Sequence, residues 1–176
     1  MRQQFTALAT TLLLAPVSVM AQDAATQDPA IQTERVAMTR AIEAARAQVD
    51  GGVLEAEIET EGGTLIYEID MVKGDDVYEV TVDAQSGEVL SQSEERLTSF
   101  LSGLFQEDEL RAAGEAGETL MKALADLEAT EGTEIDELSL DEEDGRMVYE
   151  IELTDASGER EILIDAATGE TLVDAD

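Results

Sequence analysis

At 176 residues the chain has room for one ordinary domain or two small ones. Its 42 acidic residues against 10 basic give a formal net charge of −32, a surface that repels phosphate backbones and anionic lipid and so excludes direct nucleic-acid binding. With no cysteine and no histidine, disulfides, Ser-His-Asp and Cys-His nucleophiles and zinc sites of the usual ligands cannot be built.

Residues 1–21 read as a secretory signal. Arg2 is their only charge, an apolar run extends from Phe5 to Pro16, and Val19 and Ala21 supply small residues before a polar stretch begins at Gln22. The run is too short to span a bilayer, and no cysteine stands at the cleavage position for lipid attachment. The expectation is a mature bacterial protein in the periplasm or outside the cell, with no membrane span after cleavage. Residues 22–30 form a polar, flexible leader.

From Ile31 to Val49 the pattern turns helical, with Met38, Ile42, Ala45 and Val49 on one stripe and Asp50–Gly52 ending it. Alternation takes over next. Leu54, Ala56 and Ile58 face one way and Glu55, Glu57 and Glu59 the other. Gly62 and Gly63 turn the chain into a second strand with Leu65, Tyr67, Ile69 and Met71 on one face. Lys73–Asp76 turns it into a third, with Tyr78, Val80 and Val82. The turn Asp83–Glu88 leads into a short Val89–Leu90 segment. Residues 31–92 thus predict one helix on an antiparallel sheet of three or four strands.

The segment from Tyr67, YEIDMVKGDDVYEVTVDAQSGEVL, returns from Tyr149 as YEIELTDASGEREILIDAATGETL, without a gap, at an offset of 82 residues and with nine of 24 positions identical. The offset also carries the helical stripe onto Leu120, Leu124 and Leu127, and Ile58 onto Leu140, although neither segment was used to find it. Residues 117–176 therefore predict a second copy of the same unit. Tyr78 becomes Arg160, so the copies differ at the entrance to the third strand. Two units of this size, each marginal alone and without disulfides, gain by packing together.

Residues 93–116 are expected to be a helical connector. Ser91 with Glu94 resembles a capping box, and Leu97, Phe100, Leu101, Leu104 and Phe105 form an apolar stripe. The stripe suits either a connecting helix packed on the sheets or a docking helix for another protein.

Carboxylates are the only plentiful functional group, and no pair stands out among so many, nor is there a tryptophan to stack on sugar. No phosphate-binding or dinucleotide fingerprint occurs, and the expectation is a protein that is not an enzyme. Calcium is the one ion worth weighing, since Lys73–Asp76, Asp141–Gly145 and Asp165–Glu170 are rich in hard oxygen ligands, yet none has EF-hand spacing. A simpler account covers both Asp-Ala-x-[Ser/Thr]-Gly-Glu turns: Asp83 or Asp165 accepts bonds from its own turn, and Gly87 or Gly169 supplies the positive φ.

A helix, then Tyr-Glu-Ile-[Asp/Glu], a variable hairpin, and a strand closing in VDAQSGEVL or IDAATGETL: this pattern resembles the PepSY domain family, over about residues 34–92 and 117–174. The resemblance implies one helix packed on a small antiparallel sheet in each copy. It also implies a module of the kind found in propeptides of secreted metallopeptidases, in regulatory bacterial proteins and in small secreted proteins, with no catalytic residues to carry over. No peptidase domain follows in this sequence, so modulation of a peptidase or other envelope protein would act in trans. The alternative is an acidic extracytoplasmic protein that responds to calcium or salt and has no protein target.

Overall fold

The computed structural model describes residues 34–95 and 107–175, all within the compact unit Thr33–Asp176. Alternation between apolar and polar residues builds a four-stranded antiparallel meander twice. The first is β1 (Gly52–Glu61), β2 (Thr64–Lys73), β3 (Asp76–Asp83) and β4 (Val89–Glu95). The second is β5 (Glu134–Glu143), β6 (Arg146–Asp155), β7 (Gly158–Asp165) and β8 (Thr171–Ala175). Helix α1 (Met38–Arg46) precedes the first meander and α2 (Glu107–Glu128) precedes the second.

The two meanders are not separate small sheets. They join through β1 and β5 into one eight-stranded antiparallel sheet, in the order β4-β3-β2-β1-β5-β6-β7-β8. A lone meander would leave the unpaired N–H and C=O groups of its first strand exposed; pairing the two first strands covers the middle of both edges at once. At the seam Glu55 faces Ser139, Ala56 faces Leu138 and Glu57 faces Glu137. Ala56 and Leu138 are each other's counterparts at the 82-residue offset, so a pseudo-twofold axis passes between them.

Both helices lie on one face of this sheet, α1 over β2 and β3, and α2 over β1, β2 and β5. Met38, Ala41, Ile42 and Ala45 of α1 and Ala113, Ala116, Leu120, Ala123 and Leu124 of α2 are buried there. They meet Leu54, Tyr67, Ile69, Val80, Leu138, Tyr149, Ile151 and Ile162 in a single apolar cluster that spans both halves. Small residues on α2 let it come close to β1. At Gly52 any Cβ would overlap the Ala113 carbonyl, so this strand must begin with glycine.

Three expectations change. Ser91 and Glu94 do not cap a helix: both lie in β4, where Ser91 Oγ donates to Thr81 Oγ1 at 2.9 Å across the strand pair. The helical connector over 93–116 is divided instead, its first residues belonging to β4 and its last to α2. Over its described residues, Glu107–Glu128, that helix runs unbroken into the second repeat. In the first repeat the helix covers only Met38–Arg46, because Ala37 is non-helical at φ −59° and ψ 149° and the Val36 N–H goes to the Ala84 carbonyl instead. The signal, the leader and the stripe Leu97, Phe100, Leu101, Leu104 and Phe105 lie outside the described residues.

Candidate functional site

Two features are built by bringing the halves together: a polar junction beneath the helices and an acidic face on the opposite side of the sheet.

The junction surrounds the start of α1. Ala37 offers this helix no side-chain cap. Glu128, at the far end of α2, supplies one instead, accepting from the Thr39 backbone N–H at 3.2 Å and from Thr39 Oγ1 at 2.5 Å. Arg35, its side chain only 9% exposed, donates to Asp136 at 2.7 Å and lies 3.5 Å from Glu134, while Asp136 also accepts from Thr154 at 2.8 Å. The Tyr67 hydroxyl donates to the Val36 carbonyl at 2.6 Å. Its pKa is pushed up to about 12, chiefly by burial; Arg35 opposes the shift, and Glu128, Glu134 and Asp136 add to it. At the other end of the helix pair, Arg46 reaches the Gly117 carbonyl at 3.4 Å. The bonds of Arg35 to Asp136, of Thr39 to Glu128 and of Arg46 to the Gly117 carbonyl each cross from one half to the other, which marks the junction as a clasp between them.

On the other face, the register places carboxylates opposite carboxylates. One row reads Thr81, Glu68, Glu57, Glu137, Glu152 and Glu161 from β3 to β7. The adjacent row reads Glu79, Asp70, Glu55, Ser139, Glu150 and Leu163. The pseudo-twofold axis exchanges the two rows. Like charges directly opposite on neighbouring strands, about 4.8 Å apart, repel. The pKa of Glu68 is accordingly raised from 4.5 to about 7, by partial burial first and then by Glu79, Glu59, Asp70 and Glu57. Glu55, Glu137 and Glu150 are raised for the same reasons, burial leading and neighbouring carboxylates adding. Such a face draws cations and basic side chains towards itself.

For calcium, among the described residues no group of three or more acidic side chains is placed to hold a metal ion. In the two repeated turns the carboxylates act locally. Asp83 accepts from the Gln85 and Ser86 amides at 3.1 and 2.7 Å, and Asp165 from the Ala167 and Thr168 amides at 3.1 and 2.9 Å. Bonds from the turn hold both carboxyls below the usual aspartate range, the Ser86 amide leading for Asp83 and the Thr168 amide for Asp165. Gly87 and Gly169 sit at φ 72° and 71°, as those turns require. Where Arg160 replaces Tyr78, it donates to Asp155 at 2.9 Å. No helix among the described residues is long and apolar enough to cross a membrane.

The glutamate alternation of β1 was legible in the sequence; its meeting with β5 was not. Sequence reasoning also missed the clasp. Arg35, Thr39 and Glu128 have no repeated motif to announce them, and their partners lie about a hundred residues away in the chain.

The family described as peptidase propeptide and YPEB domain matches this chain twice, over residues 35–93 and 117–172. No curated protein matches it. Two solved structures are similar. One is a Clostridium difficile 630 protein described as a lipoprotein, 21% identical, covering 82% of this chain and 95% of its own, with a TM-score of 0.44. The other is the YpmB protein from Bacillus subtilis, 19% identical, covering 80% of this chain and 98% of its own, with a TM-score of 0.30.

Proposed function

The chain belongs to the peptidase propeptide and YPEB domain family, and from that premise we propose that it works outside the cytoplasm as a non-catalytic binding module that modulates a peptidase or another envelope protein in trans. The observation that carries this reading is the double family match, which takes in most of the chain beyond residue 34. The signal-like residues 1–21 support export to the periplasm or the medium. After cleavage the working protein would comprise the leader 22–30, repeats 31–92 and 117–176, and the linking segment 93–116. The stripe Leu97, Phe100, Leu101, Leu104 and Phe105 would offer a second, apolar contact for the partner.

The paired carboxylate rows give the module a partner preference, since a basic surface gains most from meeting them. They also favour a second reading, in which the acidic face answers to calcium or salt and no protein target exists. Affinity capture with residues 22–176 from native envelope and secreted fractions, eluted by a salt gradient, tests the two together. Recovery of a peptidase that the purified protein then inhibits is the expected result. A folded protein that captures nothing above background, yet is stabilised by calcium at constant ionic strength, would replace the first reading with the second.

A further inference from the structure

The two repeated turns share a set of backbone hydrogen bonds. Asp83 N–H donates to Glu88 O, Gly87 N–H to Asp83 O and Ala84 N–H to Leu65 O, at 2.9, 2.8 and 3.0 Å. Asp165 to Glu170, Gly169 to Asp165 and Ala166 to Met147 repeat them at 3.0, 2.8 and 3.0 Å. One bond breaks the equivalence. The Ala84 carbonyl accepts the Val36 N–H at 2.7 Å, so the extended segment 34–37 lies along the first turn, and the Tyr67 hydroxyl secures it from the other side. The counterpart carbonyl of Ala166 receives no such backbone bond among the described residues. The positions that would supply it lie inside α2, where backbone N–H groups serve the helix, and Tyr149 sends its hydroxyl to the Val53 carbonyl instead.

A cavity of about 340 Å³ opens beside Ala166. Ala112 of α2 and Met147 of β6 give it apolar walls, and Arg111 and Arg146 stand at its rim, two of the few basic residues in the chain. The two carboxylates that also line it are already engaged, Glu115 by Arg111 at 3.7 Å and Asp165 by the amides of its own turn. In volume and in its mixture of apolar wall and charged rim it suits a few residues of peptide.

We propose that this cavity binds an extended acidic–apolar segment of a partner protein, which takes at the second turn the place that Glu34–Val36 hold at the first. A backbone N–H of the ligand meets the Ala166 carbonyl, an apolar side chain rests on Ala112 and Met147, and a carboxylate faces Arg146. A basic residue at the middle position is not needed. Arg35 pairs with Asp136, and the counterpart of Asp136 in the first half is Leu54. This site would exist whether or not the partner is a peptidase.

The probe is the pentapeptide Thr-Glu-Ala-Val-Ala, the sequence of residues 33–37 with alanine in place of the arginine, so that no cation draws it to the acidic rows. Titrated into isotopically labelled residues 22–176 at low ionic strength, it should shift the amide resonances of Met147, Ala166 and Ala167. Arg146→Glu, and separately Ala167→Trp to fill the cavity, should each weaken binding at least about tenfold. Both positions are exposed, and the spectrum of each variant reports its fold directly. A peptide with lysine for glutamate should bind as poorly. No shift at millimolar peptide, shifts confined to Ala84 and Gln85, or affinity indifferent to Arg146→Glu would each overturn the site. Peptidase inhibition that survives such a failure would leave the proposed modulation standing.

Discussion

Tyr67 and Tyr149 occupy the same position in the two halves, and both are buried beneath the helices. Their hydroxyls go to different places. Tyr67 donates within its own half, to the Val36 carbonyl just before α1, whereas Tyr149 donates at 2.8 Å to the Val53 carbonyl in the other half. Val53 borders the register shift in β1, where the ladder leaves the strand irregular. One tyrosine therefore secures an extended segment, and the other fastens the two meanders together. The difference shows how a duplicated sequence acquires division of labour: the apolar body of the side chain keeps its place in the core, and the polar tip takes whichever backbone group the local geometry leaves open.

The strongest challenge to this picture is at the seam. Leu138→Asp places an unpaired charge beside Ala56 in the shared core and should cost on the order of 4 kcal/mol or more, most of a typical domain's stability. Urea unfolding followed by circular dichroism should show both halves lost in one transition. A first half that keeps its amide protection while the second exchanges would mean that the core is divided after all.

Removing each hydroxyl comes next. Tyr149→Phe strands a buried carbonyl and should lower stability by about 1–3 kcal/mol, while Tyr67→Phe, at the less enclosed site, should stand at the low end of that range. Equal losses would erase the distinction between clasp and anchor.

The pH response is the gentlest test, and its sign follows from the acidic rows. Glu68 titrates at about 7 when folded against 4.5 when unfolded, so between those values the folded protein holds more protons. Stability should rise as the pH falls from about 7 to 4.5, and Glu55, Glu137 and Glu150 push the same way. Below about pH 4 the gain should reverse, as Asp83, Asp155 and Asp165, whose pKa values are lowered in the fold, lose their bonds. Thermal midpoints should climb by a few degrees from pH 8 to pH 5, and Glu68→Gln should flatten that climb, while 1 M sodium chloride should shrink it by screening. An unchanged slope in Glu68→Gln would remove this residue from the coupling.

Local rules carried the secondary structure far. Alternation gave the first three strands of the first meander and the 82-residue offset carried them into the second, and the conformational needs of Gly62, Gly63 and Gly145 suited the hairpins between them. The same rules missed where pairing and helicity compete. Ser91 and Glu94 satisfy a helix-capping pattern as well as an edge strand, and only the free edge of β3 selects the strand. Residues 107–116 are helical as expected of a connector, but they continue without a break into the helix of the second repeat, where the Ala113 backbone meets β1 at Gly52. The clasp was illegible for a plainer reason. Arg35, Thr39 and Glu128 look like solvated helix residues until distant segments converge on them.

By itself the sequence determined the repeated unit, because apolar period and turn chemistry act over a few residues and leave their mark on composition and spacing. It also determined that no histidine- or cysteine-based nucleophile can be built, since both residues are absent outright. Tertiary structure alone decided that the two units share one sheet, which turned two tolerable glutamate patterns into facing rows of like charge and, among the described residues, left one of two equivalent carbonyls without the backbone bond its counterpart receives. Those outcomes depend on register and on the route of α2, and both are set by contacts between residues far apart in the chain, where no local pattern records them.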